Sequence, residues 1–294
     1  QVADEQWLKH IYTYNNNDVG RPETHELGPT IHWLQAPSAR SWGGYLNQLN
    51  MIAGLAGLYN DTGDDKYVTE IGNLLISWVA QVPRWYGYTE NGRHVPSGME
   101  VRNRLCNCIA AYDVVARSEA FSLQAHMAFW KLLITACREL MTYSGVSYPG
   151  LIPAAVMFPE FIEAPQWLEA GKADIRRQLV DRTTPEGAWD THSISYQTVP
   201  VPWAARSLEF LRLRAGDPDL DALAAMVRNQ AGKLVEMMLR LTMPNGGLPN
   251  IGDTYGRYDW NPSAFLPHLT SWMALKLSAE ERARLEGIAD PFAR

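Results

Sequence analysis

The chain has 294 residues, 46% hydrophobic and 20% charged, enough to bury a sizeable core without disulfide or metal staples. Its 26 Lys+Arg against 32 Asp+Glu give a net charge of −6, with no basic run or stripe, which argues against nucleic acid or anionic lipid as a partner. No stretch of about 18 uncharged apolar residues suggests a membrane span. The aromatic excess, 11 Trp and 13 Tyr against 7 Phe, lies in rings with a polar edge, which suit a helical core and stacking on sugars alike. Three cysteines, Cys106, Cys108 and Cys137, are odd in number, and the first two are two apart in a helical pattern. A disulfide framework is excluded, and neither a metal site nor a cofactor is expected. Because the first residue is Gln1 and not Met, something upstream is expected to have been removed, and location cannot be read from a leader.

The 3.6-residue apolar period predicts helices nearly throughout. Residues 42–60 carry Trp42, Tyr45, Leu46, Leu49, Ile52, Ala53 and Ala56 at helical spacing and end at Thr62-Gly63. The next helix starts at Asp64 and is stopped by Pro83. Ser97 caps a third, to about Arg117, and its partner occupies about 122–143. Further helices are expected at 149–158, 164–181, 191–214, 218–242 and 262–277. Short polar turns at 61–64, 117–122 and 215–218 join helices into antiparallel hairpins, whereas longer Gly/Pro/aromatic loops at 82–97, 183–190 and 243–261 join hairpin to hairpin. That alternation describes an all-α fold, an incomplete α/α toroid with its long loops on one rim. No repeat of fixed period is visible, and no Pro/Gly/Ser linker, so a single domain over 1–294 is expected.

Three segments carry residues capable of chemistry. Glu100, Arg104 and Asn107 follow at i, i+4 and i+7 and share one helix face. Such a row either fixes the helix by a salt bridge or turns Arg104 or Asn107 towards an acidic sugar. Thr191-His192-Ser-Ile-Ser-Tyr196-Gln197 opens a helix directly after the loop that holds Trp189 and Asp190. Here Tyr196 is a candidate for proton transfer, with a core aromatic as the alternative. The stretch 245–258 combines four glycines with Asp253, Tyr255, Arg257 and Tyr258, a composition suited to a loop that grips a ligand or to a structural turn. Arg93 and His94 are further candidates in the 82–97 loop. No metalloprotease helix, paired Cys-x-x-Cys, phosphate-binding Gly loop or Gly-x-Ser-x-Gly elbow occurs.

At these residues the chain resembles the N-terminal toroid of the heparinase II/III-like polysaccharide lyases, which include alginate lyases. The resemblance runs through Asn47–Tyr67, Ser97-Gly-Met-Glu100 to Asn107, Met157-Phe-Pro-Glu-Phe161, Glu163-Ala-Pro-Gln-Trp167, Pro185-Glu-Gly187, Ser193-Ile-Ser-Tyr196 and Leu248 to Asp253. It implies β-elimination on a uronate-containing acidic polysaccharide, with Tyr196 as base, acid or both, and Arg104 at the family's helix arginine. His192 joins them as a catalytic candidate, and Glu100, Asn107, His94, Trp189, Asp253, Tyr255 and Arg257 as substrate-binding candidates. A secreted or periplasmic location is implied in the same way. The chain departs from the pattern at 142–148, which lacks the family's Asn, and at Gln197, where His is common. The family's C-terminal β-sheet domain, which supplies a catalytic His, is not legible before Arg294. Two other readings stay open: a toroid glycoside hydrolase drawing on Glu100, Asp190 and Asp253, and a non-catalytic glycan-binding module.

Overall fold

Helical periodicity in the sequence becomes helix over most of the described residues, with a break at Leu49 that the apolar pattern does not announce. In the computed structural model the described residues are 6–16, 21–35, 40–82, 88–90, 93–95, 98–142, 150–191, 193–243, 248, 249 and 251. They divide into two units, Gln1–Trp167 and Leu168–Arg294.

In the first unit, the helix expected at 42–60 is two helices, α1 (Arg40–Asn47) and α2 (Asn50–Thr62). The break is at Leu49, whose φ of 54° and ψ of 37° place it in the left-handed region. Gly63, at φ 69°, ends α2 and returns its N–H to the Tyr59 carbonyl, a conformation that costs glycine little. Asp64 then caps α3 (Asp65–Gln81), accepting from the Lys66 N–H at 3.0 Å. The second hairpin is α4 (Gly98–Val115) and α5 (Leu123–Thr142), with the Ser122 hydroxyl accepting from the Ala125 N–H. Helix α2 packs on α4 and α3 on α5, so two antiparallel hairpins stack side by side over Ile52, Leu55, Ile71, Leu75, Leu105, Ile109, Phe129 and Leu133. Each hairpin reverses once, so the last turns of α3 and α5 and the first turn of α4 share one end, where segments 82–97 and 143–149 begin. Helix α6 (Leu151–Met157) packs on α4 and α5.

Two small hairpins were not expected. Strands β1 (Ile11–Asn16) and β2 (Arg21–Glu26) pair antiparallel with Tyr12 opposite His25 and Tyr14 opposite Glu23. Tyr12 is buried, and the Tyr14 ring meets Trp42 edge-on at 5.3 Å. Strands β3 (Tyr88–Glu90) and β4 (Arg93–Val95) pair with Thr89 opposite His94. The fold class is nonetheless the expected one, mostly helical.

Helix α7 (Ala164–Ile175) starts in the first unit and ends in the second, where it widens into one π turn, Arg176–Val180. The helix expected from Thr191 is replaced by a single 3-10 turn, Ser195–Thr198, followed by α8 (Pro200–Arg212). Pro200 explains the start of α8, since a proline in the first helical position loses no hydrogen bond. Asp217 caps α9 (Pro218–Leu241), which packs on α8. The helix expected at 262–277 lies outside the described residues. Among those described, no helix is long and apolar enough to cross a membrane.

Candidate functional site

The polar row of α4 meets the break between α1 and α2. Where a helix stops at Asn47 and restarts at Asn50, carbonyls lose their intrahelical partners. Arg104, 1% exposed, donates through Nη1 to the Asn47 carbonyl at 2.7 Å. Asn107 donates through Nδ2 to the Gln48 carbonyl at 2.9 Å and to Asn50 Oδ1 at 2.7 Å. Asn103 Nδ2 donates to Gln48 Oε1 at 3.0 Å. The Arg104 guanidinium also lies 4.3 Å from the Trp78 ring centroid, while the Trp78 indole N–H donates to Asn47 Oδ1 at 2.9 Å. Asn47 closes the network with donations to the Trp33 and Gly43 carbonyls. Glu100 is buried beside Gly44, where an added Cβ would stand 3.3 Å from its Oε1. A left-handed leucine is thus held by three polar side chains from α4.

Arg104 also forms part of the wall of a cavity of about 300 Å³. Trp78, Val79 and Val82 from the end of α3 line one side. Lys131, Thr135 and Glu139, four apart on α5, line the other together with Leu132 and Ala136. This cavity sits at the end of the hairpins where the long connections begin. Sequence reading did not single out the 131/135/139 row, although its spacing was there to find.

Tyr196 stands in the second unit, half-buried on the 3-10 turn. The next residue, Gln197, is bonded to the main chain of Trp189, which is 6% exposed. The Trp189 indole N–H donates to the Gln178 carbonyl at 2.9 Å, the Arg182 guanidinium lies 4.3 Å from its ring centroid, and Trp203 meets it edge-on. The loop carrying Trp189 is pinned on both flanks. Thr183 bridges to Trp189, and Arg182 Nη2 donates to the Asp190 carbonyl. Gly187 takes φ 92° against α9, where an added Cβ would fall 2.2 Å from the Lys233 carbonyl oxygen. Trp189, expected to face a ligand from a loop rim, has its ring turned inward.

The remaining candidates are placed as follows. Asp190 is exposed in the second unit. His94 and Arg93 are described as backbone in β4 only. His192, Asp253, Tyr255 and Arg257 lie outside the described residues. Among the described residues, no group of three or more His, Cys, Asp or Glu could hold a metal ion.

Solved structures carry this fold. Heparan sulfate lyase HepC from Pedobacter heparinus is similar at a TM-score of 0.68 and 16% identity, over 97% of this chain and 44% of that one. A heparinase III gene product matches at 0.65 and 17% identity, over 98% and 45%. A further heparinase III matches at 0.61 and 15%, over 88% and 42%. The mostly helical fold resembles the helical toroid of these heparinase structures, and the chain spans less than half of their length. Comparison with curated protein sequences returned no match. The family named Heparinase II/III N-terminus matches residues 1–274, nearly the whole chain, and the chain belongs to that family.

Proposed function

We propose that this chain is the helical domain of a polysaccharide lyase that cleaves a uronate-containing acidic polysaccharide by β-elimination, with Tyr196 as the proton-transfer residue. The reaction removes the proton α to the uronate carboxylate. A C=C bond forms to the neighbouring carbon, and the bond to the 4-linked sugar oxygen breaks, that oxygen taking up a proton. Tyr196 serves as base, as acid, or as both in turn. The observation that carries the reading is the family match over 1–274 together with a half-buried Tyr196 on a turn whose neighbours Ser193 and Gln197 are buried. The α-proton is weakly acidic, so the carboxylate must be neutralised by donors aimed at the developing charge. Arg104 gives at least one of its donors to the Asn47 carbonyl. His94, His192 or Arg257 is proposed as the alternative donor for that task.

The test is incubation of the protein at its full natural length with a panel of polyuronides and sulfated glycosaminoglycans, followed by ultraviolet absorbance of the unsaturated uronate. Absorbance that disappears in Tyr196→Phe supports the reading. New reducing ends without absorbance establish hydrolysis instead, and binding without turnover, unaffected by Tyr196→Phe, establishes a glycan-binding module.

A further inference from the structure

We infer that Gln197 is the positioning residue for Tyr196, acting through the backbone of Trp189; this rests on the role proposed for Tyr196 above. The Gln197 side chain is buried and forms a two-sided pair with one residue's main chain. Its Oε1 accepts from the Trp189 N–H at 2.7 Å, and its Nε2 donates to the Trp189 carbonyl at 2.9 Å. Because the peptide N–H only donates and the carbonyl only accepts, this pairing fixes which way round the amide lies. The side chain thus does what a neighbouring strand would do, and does it at the residue next to Tyr196.

The turn that carries Tyr196 needs such a hold. Four residues of 3-10 helix make poor hydrogen bonds and have little stability of their own. Ser195–Thr198 has no side-chain N-cap, and its few main-chain bonds run from 3.0 Å (Gln197 N–H to the Ile194 carbonyl) to 3.3 Å (Tyr196 N–H to the Ser193 carbonyl). The loop on which Gln197 is anchored, in contrast, is fixed from several directions. Gly187 lies against the Lys233 carbonyl, the Trp189 indole is bonded to the Gln178 carbonyl, and Arg182 holds the Asp190 carbonyl. Gln197 transmits that rigidity to the turn, leaving the adjacent Tyr196 half-buried. A reacting group displaced by about 1 Å can lose on the order of 100-fold in rate.

Two variants separate positioning from general stability. Gln197→Met keeps the length and loses both bonds. Gln197→Glu, when ionised, accepts from the Trp189 N–H but sets an oxygen against the Trp189 carbonyl; when protonated, it regains the donor and reproduces the amide pattern. Among the described residues, the charged groups near this position include Arg182, over the Trp189 ring, Asp190, whose carbonyl Arg182 holds, and Lys233 of α9, which packs on the turn and whose main chain meets Gly187.

The expected result is a kcat lowered about 10- to 100-fold in Gln197→Met, with KM little changed and no recovery at any pH. In Gln197→Glu, kcat relative to the wild type should recover as pH falls. Hydrogen exchange of the same proteins should quicken over residues 189–199 while α9 stays protected. Wild-type kcat in Gln197→Met, or unchanged exchange over 189–199, overturns the inference. A wild type that yields no elimination product while exchange responds overturns the lyase reading instead, and makes Gln197 a structural clamp with no positioning role.

Discussion

Replacing Arg104 by Met tests what the buried guanidinium is for. Methionine roughly keeps the side-chain volume but removes the bond to the Asn47 carbonyl, leaving a buried acceptor that α1 cannot satisfy at its last residue. A hydrogen bond from a charged donor contributes about 1.5–3 kcal/mol. Stacking of the guanidinium on Trp78, 4.3 Å away, adds about 1 kcal/mol. The sum, about 3 kcal/mol, should lower the Tm of the first unit by roughly 6–12 °C, given about 2–4 °C per kcal/mol for a unit of this size. Arg104→Lys keeps the charge without the flat face and should fall between the two. Differential scanning calorimetry measures both, and saturating polysaccharide should not alter the difference between variant and wild type. A Tm within about 1 °C of wild type, coupled with lost turnover, would refute the argument, because the guanidinium would then be serving a ligand and not the helix break.

Three further outcomes are expected. His10 joins the β1–β2 hairpin to α3, its Nδ1 facing the Gly28 carbonyl at 2.7 Å and its Nε2 facing Glu70 Oε1 at 2.8 Å, an arrangement that the protonated ring satisfies with both N–H groups. The Glu70 hydrogen bond, against the opposing cost of burial, raises its pKa from 6.5. The folded state therefore holds the proton more tightly, the stabilisation is complete below about pH 6.5 and is lost as pH climbs through the raised value. Denaturant unfolding at a series of pH values should show that decline in the wild type and a flatter profile in His10→Gln; identical profiles would contradict it. Gly187→Ala, with φ 92° and a Cβ 2.2 Å from the Lys233 carbonyl oxygen, should cost about 2 kcal/mol or more and quicken hydrogen exchange over 183–190; a wild-type Tm would count against the close approach. Finally, Cys106, Cys108 and Cys137 are all buried, and burial pushes the Cys108 thiol up to about 12 and the Cys137 thiol well above its usual value. Ellman's reagent at pH 8 should find no rapidly reacting thiol in the native protein and three after unfolding.

What could be read in the sequence was what local interactions decide. Gly63, Asp64, Ser122 and Asp217 mark helix ends by bonds within four residues of themselves, and the hairpins follow from them. The break at Leu49 could not be read, because Leu46, Leu49 and Ile52 keep the helical period straight through it. It is sustained by Arg104, 57 positions beyond Asn47, and Asn107, 59 beyond Gln48. The α4 row was therefore visible as a row, yet its main partners were not. Strands β1 and β2 escaped notice because six residues with Tyr12 and Tyr14 on alternate positions give a weak period-2 signal. Gln197 stood out only as a departure from the family pattern; its role depends on the conformation of a loop eight residues earlier.

Arg104 and Tyr196 were singled out from the sequence, one by a polar row along a helix and the other by its place after a loop, each then matching a family position, and their surroundings differ in kind. Around Arg104 the polar groups answer one another: a carbonyl exposed by a helix break, an amide that bonds three ways, an indole that is both donor and stacking face. Such a network rigidifies a core because a partly satisfied version of it is costly. It accounts for the arginine before any ligand is considered. Beside Tyr196, Gln197 is buried on the Trp189 backbone and Ser193 is buried before it, while Tyr196 is half-buried. A half-buried phenol beside a residue clamped in this way fits the proton-transfer role proposed for it. The network thus accounts for Arg104 as architecture, and the chemistry proposed for Tyr196 is decided by the turnover of Tyr196→Phe.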